Sequence, residues 1–272
     1  MISSDFHMHT AFSSDCDVPA RDMIEGAIKK GLHTICITDH NDNDYPVYEN
    51  AKAPEFTLDV GRYFEVLKSL QEEYAEKIDV RIGIELGLQP HLGKDYKELI
   101  HKYPFDFVIG SIHLIYGKDP YYKETFENQT DEEVYRKAFQ ITLESLEGVE
   151  DFDVLGHIDY IVRYGKSRAR EYSYEKYADY LDGILKKVIE VGKGIEINTS
   201  GFKYGLGFCH PHPDIIRRYR ELGGEIITVG ADGHKPEHIA YDFYKVSGIL
   251  KDCGFKYYTE FKQRKPIFKQ LP

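Results

Sequence analysis

The sequence predicts an α/β protein in which seven strand–helix units close into a TIM-like parallel barrel. Two observations carry this. Short apolar runs alternate with longer segments of helical periodicity along the 272 residues, the pattern of a parallel sheet covered by helices. Six of those runs also end in histidine, aspartate or glutamate. An open sheet would string these groups along a line, whereas a closed ring gathers six strand ends around one centre.

The first run ends in Asp5-Phe6-His7-Met8-His9-Thr10. Residues two apart on an extended strand point to one side, so His7 and His9 reach one centre together. Thr10 to Asp15 reads as a polar loop, and Pro19 opens a helix with Met23, Ile24, Ala27 and Ile28 on one face, closed by Gly31. Thr34-Ile35-Cys36-Ile37-Thr38 is a buried parallel strand tipped by Asp39-His40. The cycle then repeats. A helix from Leu58 to Ile78 leads to the run Val80 to Glu85, and one near Tyr96 to His101 leads to Phe105 through His113. A helix near Glu132 to Leu146 precedes Phe152 to His157, and one near Tyr174 to Val191 precedes Gly194 to Asn198. The last, Asp214 to Leu222, leads to Glu225 through His234. Residues 41–53 read as a long loop over the barrel mouth. The tail from Phe255, with Tyr257, Tyr258 and Phe261, either adds a last strand or covers the barrel edge. Nothing in the sequence marks off a second domain, so residues 1–272 are read as one.

Acidic residues outnumber basic ones, 46 to 35, for a net charge of −11, which argues against a nucleic-acid surface resting on bulk charge. No run of about eighteen apolar residues occurs, and no basic segment followed by an apolar core opens the chain; the expectation is a soluble, cytoplasmic protein without a membrane partner. Cys16, Cys36, Cys209 and Cys253 are scattered without a C-x-x-C pair, excluding a disulfide framework and a zinc ribbon; Cys36 belongs in the core. Asp39 to Asp44 imitates the start of a calcium loop, but Asp44 stands where glycine is required and Asn50 where the closing glutamate is. Cys209-His210-Pro211-His212 reads as a loop capping the next helix. Phosphate-loop, dinucleotide and serine-elbow motifs are absent from the sequence. Oligomeric state is not legible.

Collected, the strand-end candidates are His7, His9, Asp15, His40, Glu85, His113, His157, Asp232 and His234. They suffice for two to three divalent transition-metal ions, with Glu85 able to bridge two of them. Imidazole and carboxylate without cysteine suit zinc, manganese or iron in open, catalytic coordination, not closed structural zinc.

These stretches resemble the PHP family, named for polymerase and histidinol phosphatase, and within it the histidinol-phosphate phosphatases. The resemblance rests on Asp5 to Thr10 with Asp15, Thr38-Asp39-His40, Gly83-Ile84-Glu85, Gly110-Ser111-Ile112-His113, Gly156-His157-Ile158-Asp159-Tyr160, Asn198-Thr199-Ser200-Gly201 and Ala231-Asp232-Gly233-His234. It implies a distorted (β/α)7 barrel holding a trinuclear metal centre. His7, His9, Glu85 and Asp232 would hold one ion, Glu85, His113 and His157 a second, and Asp15, His40 and His234 a third. It also implies hydrolysis of L-histidinol phosphate to L-histidinol and phosphate in histidine biosynthesis. One departure stands out: many relatives carry arginine after Asn-Thr-Ser-Gly, where this chain has Phe202-Lys203, so a point charge replaces a planar fork. The position of Asp15 varies between aspartate and histidine in the family, which leaves the third metal's identity open.

A phosphomonoester dianion repels hydroxide, and neutral water contains little of it. Metal ions address both problems by acidifying bound water and neutralising phosphoryl oxygens. The expected route is direct attack by a metal-bridging hydroxide, with Glu85, His113, Asp232 and His234 as catalytic residues. Arg163, six residues past His157, is expected to grip the small phosphomonoester substrate with Lys203 beside it. Nothing in that set prefers histidinol, but the acidic loop with Asp42, Asp44 and Glu49 would favour an ammonium-bearing substrate. The rival readings are a phosphodiesterase or exonuclease on the same site, another small-molecule phosphomonoesterase, and a non-catalytic metal-binding module. Acidic charge counts against the nuclease; the complete ligand set counts against the module.

Overall fold

The computed structural model describes residues 2–48 and 56–272. The first half of the chain runs β1 Ser4–Asp5, α1 Ala20–Lys29, β2 Thr34–Ile37, β3 His40–Asn41, α2 Val60–Tyr74, β4 Asp79–Gly87, α3 Gly93–Lys102 and β5 Phe107–Ser111. The second half runs α4 Asp131–Gly148, β6 Val154–Leu155, α5 Ala178–Glu190, β7 Gly194–Asn198, α6 Ser200–Lys203, α7 Pro213–Glu221, β8 Ile227–Gly230, α8 Phe243–Asp252, β9 Tyr257–Lys262 and β10 Lys265–Gln270.

The main sheet is parallel throughout, in the order β1-β2-β4-β5-β6-β7-β8, with β3 continuing the line of β2 beside β4. Its two ends meet. Phe6 N donates to Val229 O, His9 N to Gly233 O and Asp232 N to His7 O, each at 2.9 Å. The predicted seven-stranded ring is therefore nearly closed, and it is distorted, since β4 has nine residues where β1 and β6 have two each.

Local chemistry sets the helices. Asp59 caps α2 by accepting from Arg62 N at 3.1 Å, and Thr130 with Glu133 forms a capping box on α4; such a cap contributes about 1 kcal/mol. The side chain of His212 accepts from Asp214 N, so the Cys209–His212 segment does cap α7. One apolar cluster fills the layer between barrel and helices, and a second, made of Phe6, Cys36, Phe107, Ile109, Val154 and Phe261, fills the barrel itself.

The tail differs from the sequence reading in detail. The helix α8, which the sequence reading did not place, completes the seventh strand–helix unit and is followed by a hairpin in which β9 and β10 pair only with each other in antiparallel register. Phe261 enters the barrel and packs on Phe107 with ring centroids 5.0 Å apart, a burial that contributes roughly 2 kcal/mol. Arg264 Nε donates to Asp153 at 2.6 Å and Ile227 N to Thr259 Oγ1 at 3.2 Å. All of these contacts lie where strands begin, so the hairpin covers the N-terminal end of the barrel. Among the described residues, no helix is long and apolar enough to cross a membrane.

Candidate metal centre

All nine predicted residues come together at the C-terminal ends of the strands, with Glu85 at the hub. Glu85 is fully buried, and its Oε2 lies 3.2 Å from His7 Nε2, 3.5 Å from His9 Nε2 and 3.0 Å from His40 Nδ1. Its Oε1 lies 3.2 Å from His113 Nε2 and 3.1 Å from His157 Nε2. Asp232 Oδ1 stands 3.5 Å from His9 Nε2 and 3.6 Å from His234 Nδ1. Its backbone is left-handed, with φ of 53°, a conformation aspartate tolerates better than most residues. On the solvent side Asp15 Oδ2 lies 3.1 Å from His234 Nε2 and 3.7 Å from His40 Nε2.

These groups fit cations. His7 Nε2, His9 Nε2, His40 Nδ1 and Glu85 Oε2 are buried without a hydrogen-bond partner among the described residues, yet they face one another. Polar atoms so placed are costly unless positive charge sits among them. Protons feel the same demand. Burial pushes the His113 imidazole down, but Asp42 and Glu85 outweigh it and lift the group to about 10. Burial favours a neutral Glu85, yet His7, His113 and His40 hold its carboxyl well below the ordinary range. His9 and His157 are pushed down, by burial first, whereas neighbouring carboxylates outweigh burial at His7 and His40 and raise both.

An outer layer that the sequence reading missed orients these rings. Glu196 Oε1 lies 2.7 Å from His7 Nδ1, and Asp42 Oδ2 lies 2.7 Å from His113 Nδ1. Ser13 Oγ lies 3.2 Å from His9 Nδ1 while donating to Asp39 Oδ1 at 2.6 Å. A visible signal existed: Ile195-Glu196-Ile197 places a charge inside an apolar strand, and Glu196 is buried there.

Above the centre opens a cleft of about 530 Å³. On one wall the Arg163 guanidinium lies 4.0 Å from the Tyr160 ring centroid and 4.4 Å from that of Tyr204. Its Nη2 donates to Tyr164 Oη at 2.7 Å, and its Nη1 is buried without a partner among the described residues, so Arg163 is no surface arginine. Lys203 lines the same wall and donates to Asp232 O at 2.9 Å. The cleft is also lined by Tyr45, Phe56, Tyr121 and Tyr122 with Asp119, which accepts from the Tyr45 hydroxyl. The acidic-loop expectation needs correction. Asp42 is buried against His113, and Asp44 pairs with His91 at the surface at 2.9 Å, both side chains more than half exposed. Glu49 lies outside the described residues.

Fold and site together define a parallel α/β barrel with a histidine–carboxylate centre at its mouth. The chain belongs to the PHP domain family, whose model matches residues 5–200. It is 35% identical to a probable histidinol-phosphatase of Clostridium acetobutylicum, over 93% of this chain and 94% of that one. It is 30% identical to the histidinol-phosphatase of Lactococcus lactis, over 92% of this chain and 91% of that one. The crystal structure of histidinol phosphate phosphatase from Lactococcus lactis, complexed with zinc, L-histidinol and phosphate, superposes with a TM-score of 0.89 at 30% identity, covering 97% of this chain and 98% of that one.

Proposed function

We propose that this protein is a metal-dependent histidinol-phosphatase, hydrolysing L-histidinol phosphate to L-histidinol and phosphate. The observation that carries the reading is the convergence of ligating side chains on buried Glu85 beneath a cleft into which Arg163 turns. His7, His9, Glu85 and Asp232 would hold one divalent ion, Glu85, His113 and His157 a second, and Asp15, His40 and His234 a third, drawn from zinc, manganese and iron. Such ions, when bound, supply an acidified water and neutralise phosphoryl oxygens. The chain's own residues do the rest. Arg163, held in its tyrosine cage on the cleft wall, brings positive charge to the phosphoryl group, and Lys203 adds a second positive charge on that side. Glu85 keeps two ligand sets at a fixed separation. The aromatic wall around Asp119 suits a planar imidazole and an ammonium group, which distinguishes histidinol from a simple alcohol. In this reading residues 1–272 act as one unit in the cytoplasm, on a small substrate and without nucleic acid.

The reading is tested by comparing substrates. The kcat/KM for L-histidinol phosphate should exceed that for p-nitrophenyl phosphate by at least about a hundredfold, a discrimination of about 2.7 kcal/mol. Equal efficiency on both, or a preference for oligonucleotide ends, defeats it. Arg163→Ala should cost about 1.5–3 kcal/mol in kcat/KM and leave metal content unchanged. Unaltered kinetics would remove Arg163 from the phosphate site.

A further inference from the structure

Six of the seven ring strands lead to at least one of the nine predicted ligands; β7 leads to none. Its middle residue, Glu196, is only 1% exposed. Oε1 lies 2.7 Å from His7 Nδ1, and Oε2 accepts from His157 N and Asn198 Nδ2, each at 3.1 Å. The room for this carboxylate depends on the neighbouring strand β8: a Cβ on its last residue, Gly230, would stand 2.3 Å from Oε1.

We propose that Glu196 is a positioning residue of the metal centre: it accepts the Nδ1 proton of His7, fixing the tautomer and rotamer that turn Nε2 toward Glu85, and it anchors the backbone that carries His157. The inference rests on the metal-dependent reading above. A carboxylate is required because three donors converge on two oxygens, and an ionised carboxylate is an acceptor on both. A glutamine of the same shape satisfies either His7 or the His157 and Asn198 donors, because its amide nitrogen meets a donor on the other side. Asp42 repeats the arrangement on His113, in space that a Cβ at Gly87 would invade, 2.5 Å from Asp42 Oδ1. An outer carboxylate of this kind raises the affinity of its histidine for metal, and losing it typically costs ten- to a hundredfold.

The test uses zinc as probe and the full chain. Glu196→Gln should retain zinc about ten- to a hundredfold less tightly in competition with a chelator, and the rise in Tm that zinc gives wild type should shrink. A purely structural carboxylate behaves otherwise. Asp153→Asn, at the opposite end of the barrel, should lower the metal-free Tm and leave zinc retention unchanged. In the zinc-loaded wild type, ¹⁵N NMR should find the His7 proton on Nδ1, a measurement that needs no variant. A proton on Nε2, zinc retention equal to wild type in Glu196→Gln, or an equal fall in its Tm with and without zinc overturns the proposal. A wild type that retains no zinc overturns it together with the metal-dependent reading.

Discussion

Glu85→Gln is expected to lower kcat by at least about a thousandfold, roughly 4 kcal/mol of transition-state stabilisation. Glutamine keeps the shape of the side chain and removes its charge from a point where five imidazole nitrogens stand within 3.5 Å of the carboxylate oxygens. Its NH2 group cannot face a lone pair and a cation together, so the two ligand sets that share Glu85 lose their common anion. His234→Asn is the contrasting variant. That ring lies at the rim, its side chain 23% exposed, beside Asp15 and Asp232, and its loss touches the outermost set, so the expected defect is the smaller of the two. Steady-state turnover with elemental analysis of the same preparations decides it. Near-normal turnover in both variants at full metal occupancy would show that Glu85 does not join the two sets.

Much of this centre was legible because of where its residues stand. In a parallel barrel the strand interiors are apolar on both faces, so a histidine or carboxylate at the end of such a run is conspicuous, and His7, His9, Glu85, His113, His157 and Asp232 all occupy that position. Ring closure followed from the same residues, since one centre needs the strand ends in a circle. What escaped depends on long-range proximity. His7 and Glu196 are 189 residues apart, and no local pattern pairs them. Asp42 read as one acid in an acidic loop, although it is 4% exposed and holds His113. β10 is exposed along its whole length, so it shows no alternation of apolar and polar residues by which a strand is recognised. The separate ligand sets implied by family resemblance are also more intermixed in space, because His40 Nδ1 lies 3.0 Å from Glu85 while Nε2 lies 3.7 Å from Asp15.

Metal removal is expected to abolish turnover while leaving the barrel folded. The apolar layers between barrel and helices and inside the barrel are built without the centre, and a chain of this size does not depend on metal for a core. Stability should nonetheless fall, because ions that bind the native state alone stabilise it by about 2.7 kcal/mol at a hundred times their Kd. At about 2–4 °C per kcal/mol for a large domain, Tm should drop by roughly 5–10 °C. The loss should come in two stages. Asp15 and His234 have side chains 41% and 23% exposed, whereas His7, His9 and Glu85 show none, so a chelator should strip the rim before the interior. Elemental analysis along the chelation time course should start from two to three ions per chain and show a fast loss of about one, then a slow loss of the remainder, with activity vanishing by the end of the slow stage. Zinc or manganese added back should restore it, and far-UV circular dichroism should stay close to that of the holoenzyme throughout. Full activity in a preparation holding fewer than two ions per chain would break the cluster model, and collapse of the helical signal on chelation would show that the ions, and not the apolar layers, hold the barrel together.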